Sequence, residues 1–265
     1  MKKNHKGNEL KSFLHDLDHF QCFFVDNQAD EVWNRVIRDV HEYEKRDYYK
    51  LNYGSFPIFP FRFNQSDRPD IIYQSNGFAM GIECFEFDSS KRTKKGSQQR
   101  IKEAEIDKSS NIEYQKIKLT KERPVIVEKV VDVDFSDVNY CESLLSSFIS
   151  HAESIEQYRK NLSEKCSEQE IMLSFYISDV TAIGNYVIED GKPDSINPFR
   201  IPLFLDTLSK TKGLDYVAFK ATNMYVPSII IQRITPVTLL QMYDNRYRPS
   251  IKFVKYQYSK EYHYW

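Results

Sequence analysis

Apolar residues recur at helical spacing at Ala29, Val32, Trp33, Val36, Ile37, Val40 and Tyr43, which predicts an amphipathic helix over residues 29–45. Asp26 or Asn27 supplies its cap, and Asp30 and Glu31 suit its positive N-terminal end. A shorter helix within residues 9–25 places Leu10, Phe13, Leu14 and Leu17 on one face. Residues 46–68 are aromatic but interrupted by Gly54, Pro57 and Pro60, so a partly extended segment is expected there. Further along, Ser97 reads as the cap of a polar helix over residues 98–117, followed by a strand over 124–131 and one long amphipathic helix over 137–160. Strands are expected at 171–177, 186–188, 216–221 and 228–234, helices at 201–208 and 238–243, and a final strand within 251–258. The pattern predicts one α/β domain over residues 1–265, a mixed central sheet flanked by helices, with residues 1–27 as N-terminal decoration.

The segment from Pro69 to Asp88 carries the most information. Two β-rich runs flank Asn76-Gly77, a pair suited to a two-residue turn because both positions tolerate positive φ. With that turn Ser75 pairs with Phe78, paired residue numbers sum to 153, and Asp70 lies opposite Glu83 on one face. Facing residues have Cβ atoms about 4.5–5.5 Å apart, where like charges destabilise the pairing. The register therefore predicts that a cation or a proton neutralises the pair, and marks Asp70 and Glu83 as metal ligands. Glu86 falls on the opposite face, while Phe85 and Phe87 share the Glu83 face. Apolar surroundings of that kind raise a carboxylate's pKa when no cation is present.

A helix, an Asp-bearing strand, a Glu-bearing strand and another helix, with Pro69-Asp70 and then Glu83 13 residues later, resemble the PD-(D/E)xK nuclease superfamily over residues 28–120. The resemblance implies a restriction-endonuclease-like core and hydrolysis of phosphodiester bonds in nucleic acid, DNA before RNA. It also implies Mg²⁺ or Mn²⁺ held by the two acids, and a lysine two residues after the second acid. That position is Phe85 here. Either another side chain has taken over the lysine's role, Lys91 or Lys94 first and then Lys95 or Lys102, or the chain is an inactive nuclease-like module that binds nucleic acid or a protein partner. Gln98 or Gln99 would orient a water without titrating, and Glu42 or Glu44 would add a third carboxylate. The run Lys91-Arg92-Thr93-Lys94-Lys95 is the best local grip for a phosphate backbone. A plainer reading of the hairpin has Asp70 capping a turn and Glu83 paired with Arg68 or Arg62. Fold-level analogy adds a role in bacterial defence and a second copy of the chain as partner.

Composition narrows these readings. With 37 basic and 38 acidic residues the net charge is −1, so a nucleic-acid surface has to be a local patch. Cys22, Cys84, Cys141 and Cys166 show no zinc-ligand spacing and suit free thiols in a reducing cytoplasm. No apolar run follows the basic start, and none is long enough to span a membrane. His15 and His19, four apart, share a helix face at a spacing that binds zinc, though solvated histidines are the simpler reading; His41 and His151 read as surface residues. Tyr256, Tyr258, Tyr262, Tyr264 and Trp265 read as packing rather than base-stacking residues. No Gly-rich phosphate loop and no Gly-x-Ser-x-Gly elbow occurs.

Overall fold

A computed structural model of the protein describes residues 9–24, 30–53, 62–90, 92–93, 96–120, 125–131, 137–166, 170–181, 186–189, 192–221, 228–247, 252–253 and 258–264. In chain order these form α1 (Glu9–His19), β1 (Gln21–Phe24), α2 (Glu31–Tyr53), β2 (Phe63–Gln65), β3 (Ile71–Gln74), β4 (Phe78–Phe87), β5 (Arg92–Thr93) and β6 (Gly96–Ser97). There follow α3 (Gln98–Thr120), β7 (Val125–Val131), α4 (Asp137–Ala152), α5 (Ile155–Lys165), β8 (Glu170–Asp179), β9 (Tyr186–Glu189) and β10 (Lys192–Ser195). The last are α6 (Pro202–Lys210), β11 (Tyr216–Ala221), β12 (Ser228–Arg233), α7 (Pro236–Asp244), β13 (Lys252–Phe253) and β14 (Tyr258–Tyr264).

The architecture is mixed α/β. Seven strands form one sheet in the order β1-β12-β11-β8-β4-β3-β2. β2, β3 and β4 make an antiparallel meander; β4 then runs parallel to β8, and β8 parallel to β11. Helices α4 and α5 make the crossover from β4 to β8, as a parallel connection requires. Both faces are covered, which explains why β4 and β8 read as nearly continuous apolar runs rather than alternating ones. On one face Phe85, Phe87, Phe175 and Phe219 pack with Phe148, Tyr158, Leu162 and Phe204. On the other, Met80, Ile82, Tyr176 and Ala218 pack with Phe13, Leu17, Trp33 and Val40. No described helix is long and apolar enough to cross a membrane.

The fold corrects the sequence reading in four places. The helix expected within 9–25 stops at His19, and residues 21–24 instead add β1 alongside β12, so the N-terminal segment is built into the main sheet. Helix α2 continues to Tyr53, because no helix breaker precedes Gly54. Helix 137–160 is broken at Glu153 and Ser154, and α5 starts afresh with the Tyr158 N–H donating to the Ser154 carbonyl. Finally, the basic segment after β4 includes a short antiparallel ribbon of β5 and β6. Within the stretch 251–258, residues 252–253 form β13 and Tyr258 begins β14, while residues 254–257 lie outside the described set.

Gly81 shows how tightly the meander sits under α5. A Cβ there would lie 2.5 Å from both Leu162 Cδ1 and Pro69 Cγ. Gly81→Ala is expected to destabilise the protein by about 1–3 kcal/mol, the usual cost of overpacking a core. A lowered urea midpoint at unchanged slope would register it.

Candidate active site

Among the described residues β4 has strand partners on both sides only as far as Ile82. Its ladder with β3 runs from Gln74–Ala79 to Ile71–Ile82, whereas its ladder with β8 continues to Phe87–Asp179. The numbers sum to 153 as the Asn76-Gly77 turn requires, and Gly77 takes φ 95°. Asp70 lies one residue beyond the end of β3. Its Oδ2 accepts the Cys84 N–H at 2.9 Å, taking the place of the next rung. Strand main-chain groups alternate in direction, so those of Cys84 and Glu86 face the gap that opens past Asp70.

Glu83 sits on the α4–α5 face of β4 and is 6% exposed. Its Oε1 accepts from Tyr158 Oη at 2.8 Å and from His151 Nδ1 at 2.9 Å. With Glu83 ionised, that imidazole nitrogen carries the hydrogen. The two donors lie 3.5 Å apart, whereas seven residues of unbroken helix would separate them by about 10 Å along its axis. The break at Glu153–Ser154 is what brings them together. The His151 ring stacks on Phe85, with centroids 4.2 Å apart and planes 8° from parallel, and Phe175 meets Phe85 edge-on. Glu83 Oε2 is buried with no hydrogen-bond partner among the described residues.

The electrostatics follow from this packing. Burial, and then the neighbouring Glu83, push the Asp70 carboxyl up from 3.8 to about 6, against the opposing pull of the Cys84 N–H. Burial and the Glu83 charge also push the Tyr158 hydroxyl up, so it remains a donor. Each carboxylate thus has one oxygen engaged, and Glu83 Oε2 is buried without a donor. A divalent cation would relieve both the orphaned oxygen and the mutual repulsion. Mg²⁺, which is held by one or two carboxylates and keeps several waters, fits a two-carboxylate donor set; Mn²⁺ takes the same oxygen donors. Among the described residues no three His, Cys, Asp or Glu side chains gather as a metal cage, so such an ion would depend on water for its remaining ligands.

A cleft of about 920 Å³ reaches His151, the partner of Glu83, and is lined also by Glu9, Lys11, His15, Cys84, Phe85, Glu86 and Arg100, though not by Asp70 or Glu83 themselves. Glu86 points away from Glu83, as its register requires, and meets Arg100 at 3.4 Å. Lys91, Lys94 and Lys95, and the side chain of Arg92, lie outside the described residues, as does the side chain of Glu44. Gln99 is tied to Ser90 and the Val180 carbonyl, away from Glu83, and Glu42 is exposed on α2. Arg62 pairs with Asp39 at 2.8 Å rather than with Glu83. The His15 and His19 rings lie 4.0 Å apart, with His19 bonded to the His15 carbonyl. His151, read from sequence as a surface residue, is instead the partner of Glu83. It and Tyr158 stand 68 and 75 residues from Glu83 in the chain, so no local spacing announces them. The one available signal was Ser154, a capping residue type inside an apparently continuous helix. Comparison with protein families, curated proteins and solved structures finds no match to this chain.

The raised Asp70 carboxyl sets a pH dependence. The folded state holds this proton more tightly than the unfolded chain, so stability falls as pH rises from about 4 to about 6 and stays lower above. Asp70→Asn, which keeps an oxygen for the Cys84 N–H, should remove that fall. In metal-free buffer its Tm should gain on wild type through this window, and Mg²⁺ or Mn²⁺ at pH 7 should raise the wild-type Tm more than the variant's.

Proposed function

We propose that this protein hydrolyses phosphodiester bonds in nucleic acid with a divalent metal held by Asp70 and Glu83. The observation that carries the proposal is the buried, partnerless Glu83 Oε2 beside an Asp70 carboxyl whose charge Glu83 disfavours. An antiparallel β2-β3-β4 meander followed by a helical crossover to parallel β8 adds support for the PD-(D/E)xK resemblance. When bound, Mg²⁺ or Mn²⁺ supplies a polarised water and charge stabilisation at the phosphoryl oxygens. His151 stands over Phe85, where the superfamily's lysine would be. Glu83 Oε1 holds its Nδ1–H, which leaves Nε2 as the basic nitrogen of a ring that lines the cleft. In this reading His151 accepts the proton of the attacking water, and Phe85 fixes its ring plane. A cytoplasmic location belongs to the same proposal, in keeping with four free cysteines.

A second reading, an inactive module that binds nucleic acid or a protein, is favoured by the locking of Glu83 Oε1 between two donors. A cleavage assay separates the two. Supercoiled plasmid and single-stranded RNA are incubated with Mg²⁺ or Mn²⁺ and wild-type, Glu83→Gln, Asp70→Asn or His151→Ala protein. The hydrolase reading expects cleavage that EDTA abolishes and that each carboxylate substitution reduces by at least about 100-fold, more than loss of an outer-shell partner costs. His151→Ala should lower kcat by about 10²-fold or more, the usual contribution of a positioned base. Binding without cleavage under every condition would select the inactive module.

A further inference from the structure

We propose that the site takes nucleic acid as a single strand, laid round the free edge of β4. This rests on the hydrolase reading above. Past Asp70, among the described residues, β4 has no ladder partner on its β3 side. The cleft follows that edge from one face of the sheet to the other. Glu86 and Tyr176 lie on its α1 side, while Phe85 and His151 lie towards Glu83.

Size and chemistry then choose the occupant. At about 920 Å³ the cleft matches pockets that enclose a drug-sized ligand, or a few nucleotides of extended chain. A duplex keeps its bases stacked inside the helix and is read at its grooves, so it offers no unpaired base to an aromatic face in this cleft. Lys11 and His15 project from α1 onto the cleft as partners for phosphates. Of the cleft's two acids, Glu86 is paired with Arg100 and Glu9 accepts from the Gln65 side-chain amide. His151, stacked on Phe85 and with its side chain 29% exposed, offers a flat aromatic surface of the kind on which unpaired bases stack.

Fluorescence anisotropy of a labelled oligonucleotide, free or annealed to its complement, tests this with wild-type protein in EDTA. DNA and RNA versions are run side by side, and cleavage of the same four substrates is followed after adding Mg²⁺. The expected result is single-strand binding at least about tenfold tighter than duplex binding, weakened several-fold by Lys11→Glu or His15→Glu and by added salt. Faster cleavage of the single strands should accompany it. Duplex bound or cut as well as the single strand would overturn the proposal while leaving the hydrolase reading intact. So would single-strand binding indifferent to both α1 substitutions, which would place the strand elsewhere. Neither binding nor cleavage of any substrate would remove the hydrolase reading itself.

Discussion

The site depends on the early end of one strand. β4 is held by β8 along its whole length but by β3 only through Ile82, so its C-terminal half is an edge inside the sheet. An edge of this kind exposes main-chain groups that need partners. Asp70 meets part of that need by accepting the Cys84 N–H, and its carboxyl feels the charge of Glu83. The raised Asp70 pKa follows first from burial at this point and then from the neighbouring Glu83.

Glu83 is the costly element of this arrangement. A buried carboxylate is unfavourable unless it is paired and hydrogen-bonded, and here one oxygen has two donors while the other has none. Hydrogen bonds to a charged group contribute about 1.5–3 kcal/mol each, so Tyr158 and His151 offset much of the desolvation without satisfying Oε2. The packing that makes this possible is aromatic: Phe85 and Phe175 hold the His151 ring, and Phe148 packs edge-on against Phe175. Phe85 is thus the platform on which the His151 imidazole stacks.

The cleft wall is fixed from the other face. α1 carries Lys11 and His15, and its buried Asp16 receives Lys220 Nζ at 2.8 Å and Tyr176 Oη at 2.9 Å from the sheet beneath. At the ends of β4 and β8 a second buried polar network joins Asp88 to Ser90, Ser90 to the Gln99 N–H and Asp179 to Thr181, anchoring the start of α3 and so Arg100. The α1 wall is therefore tied to β8 and β11, and the α3 wall to the ends of β4 and β8.

Local rules make much of this legible in the sequence alone. Asn76-Gly77 determined the hairpin register, since a two-residue turn admits one pairing that keeps the apolar faces inward. That register singled out Asp70 and Glu83, and helical periodicity located α2, α4 and α7. Three things were decided only by tertiary structure. β1 joined the sheet because β12 offered it an edge, which a four-residue segment does not announce. The helix expected over 137–160 broke at Glu153–Ser154, where apolar periodicity alone reads as continuous. The convergence of His151 and Tyr158 on one oxygen of Glu83 followed from that break and from the parallel crossover, contacts that span 68 and 75 residues. Sequence pattern encodes which face a residue takes on its own element; which partner it meets there depends on how distant elements pack.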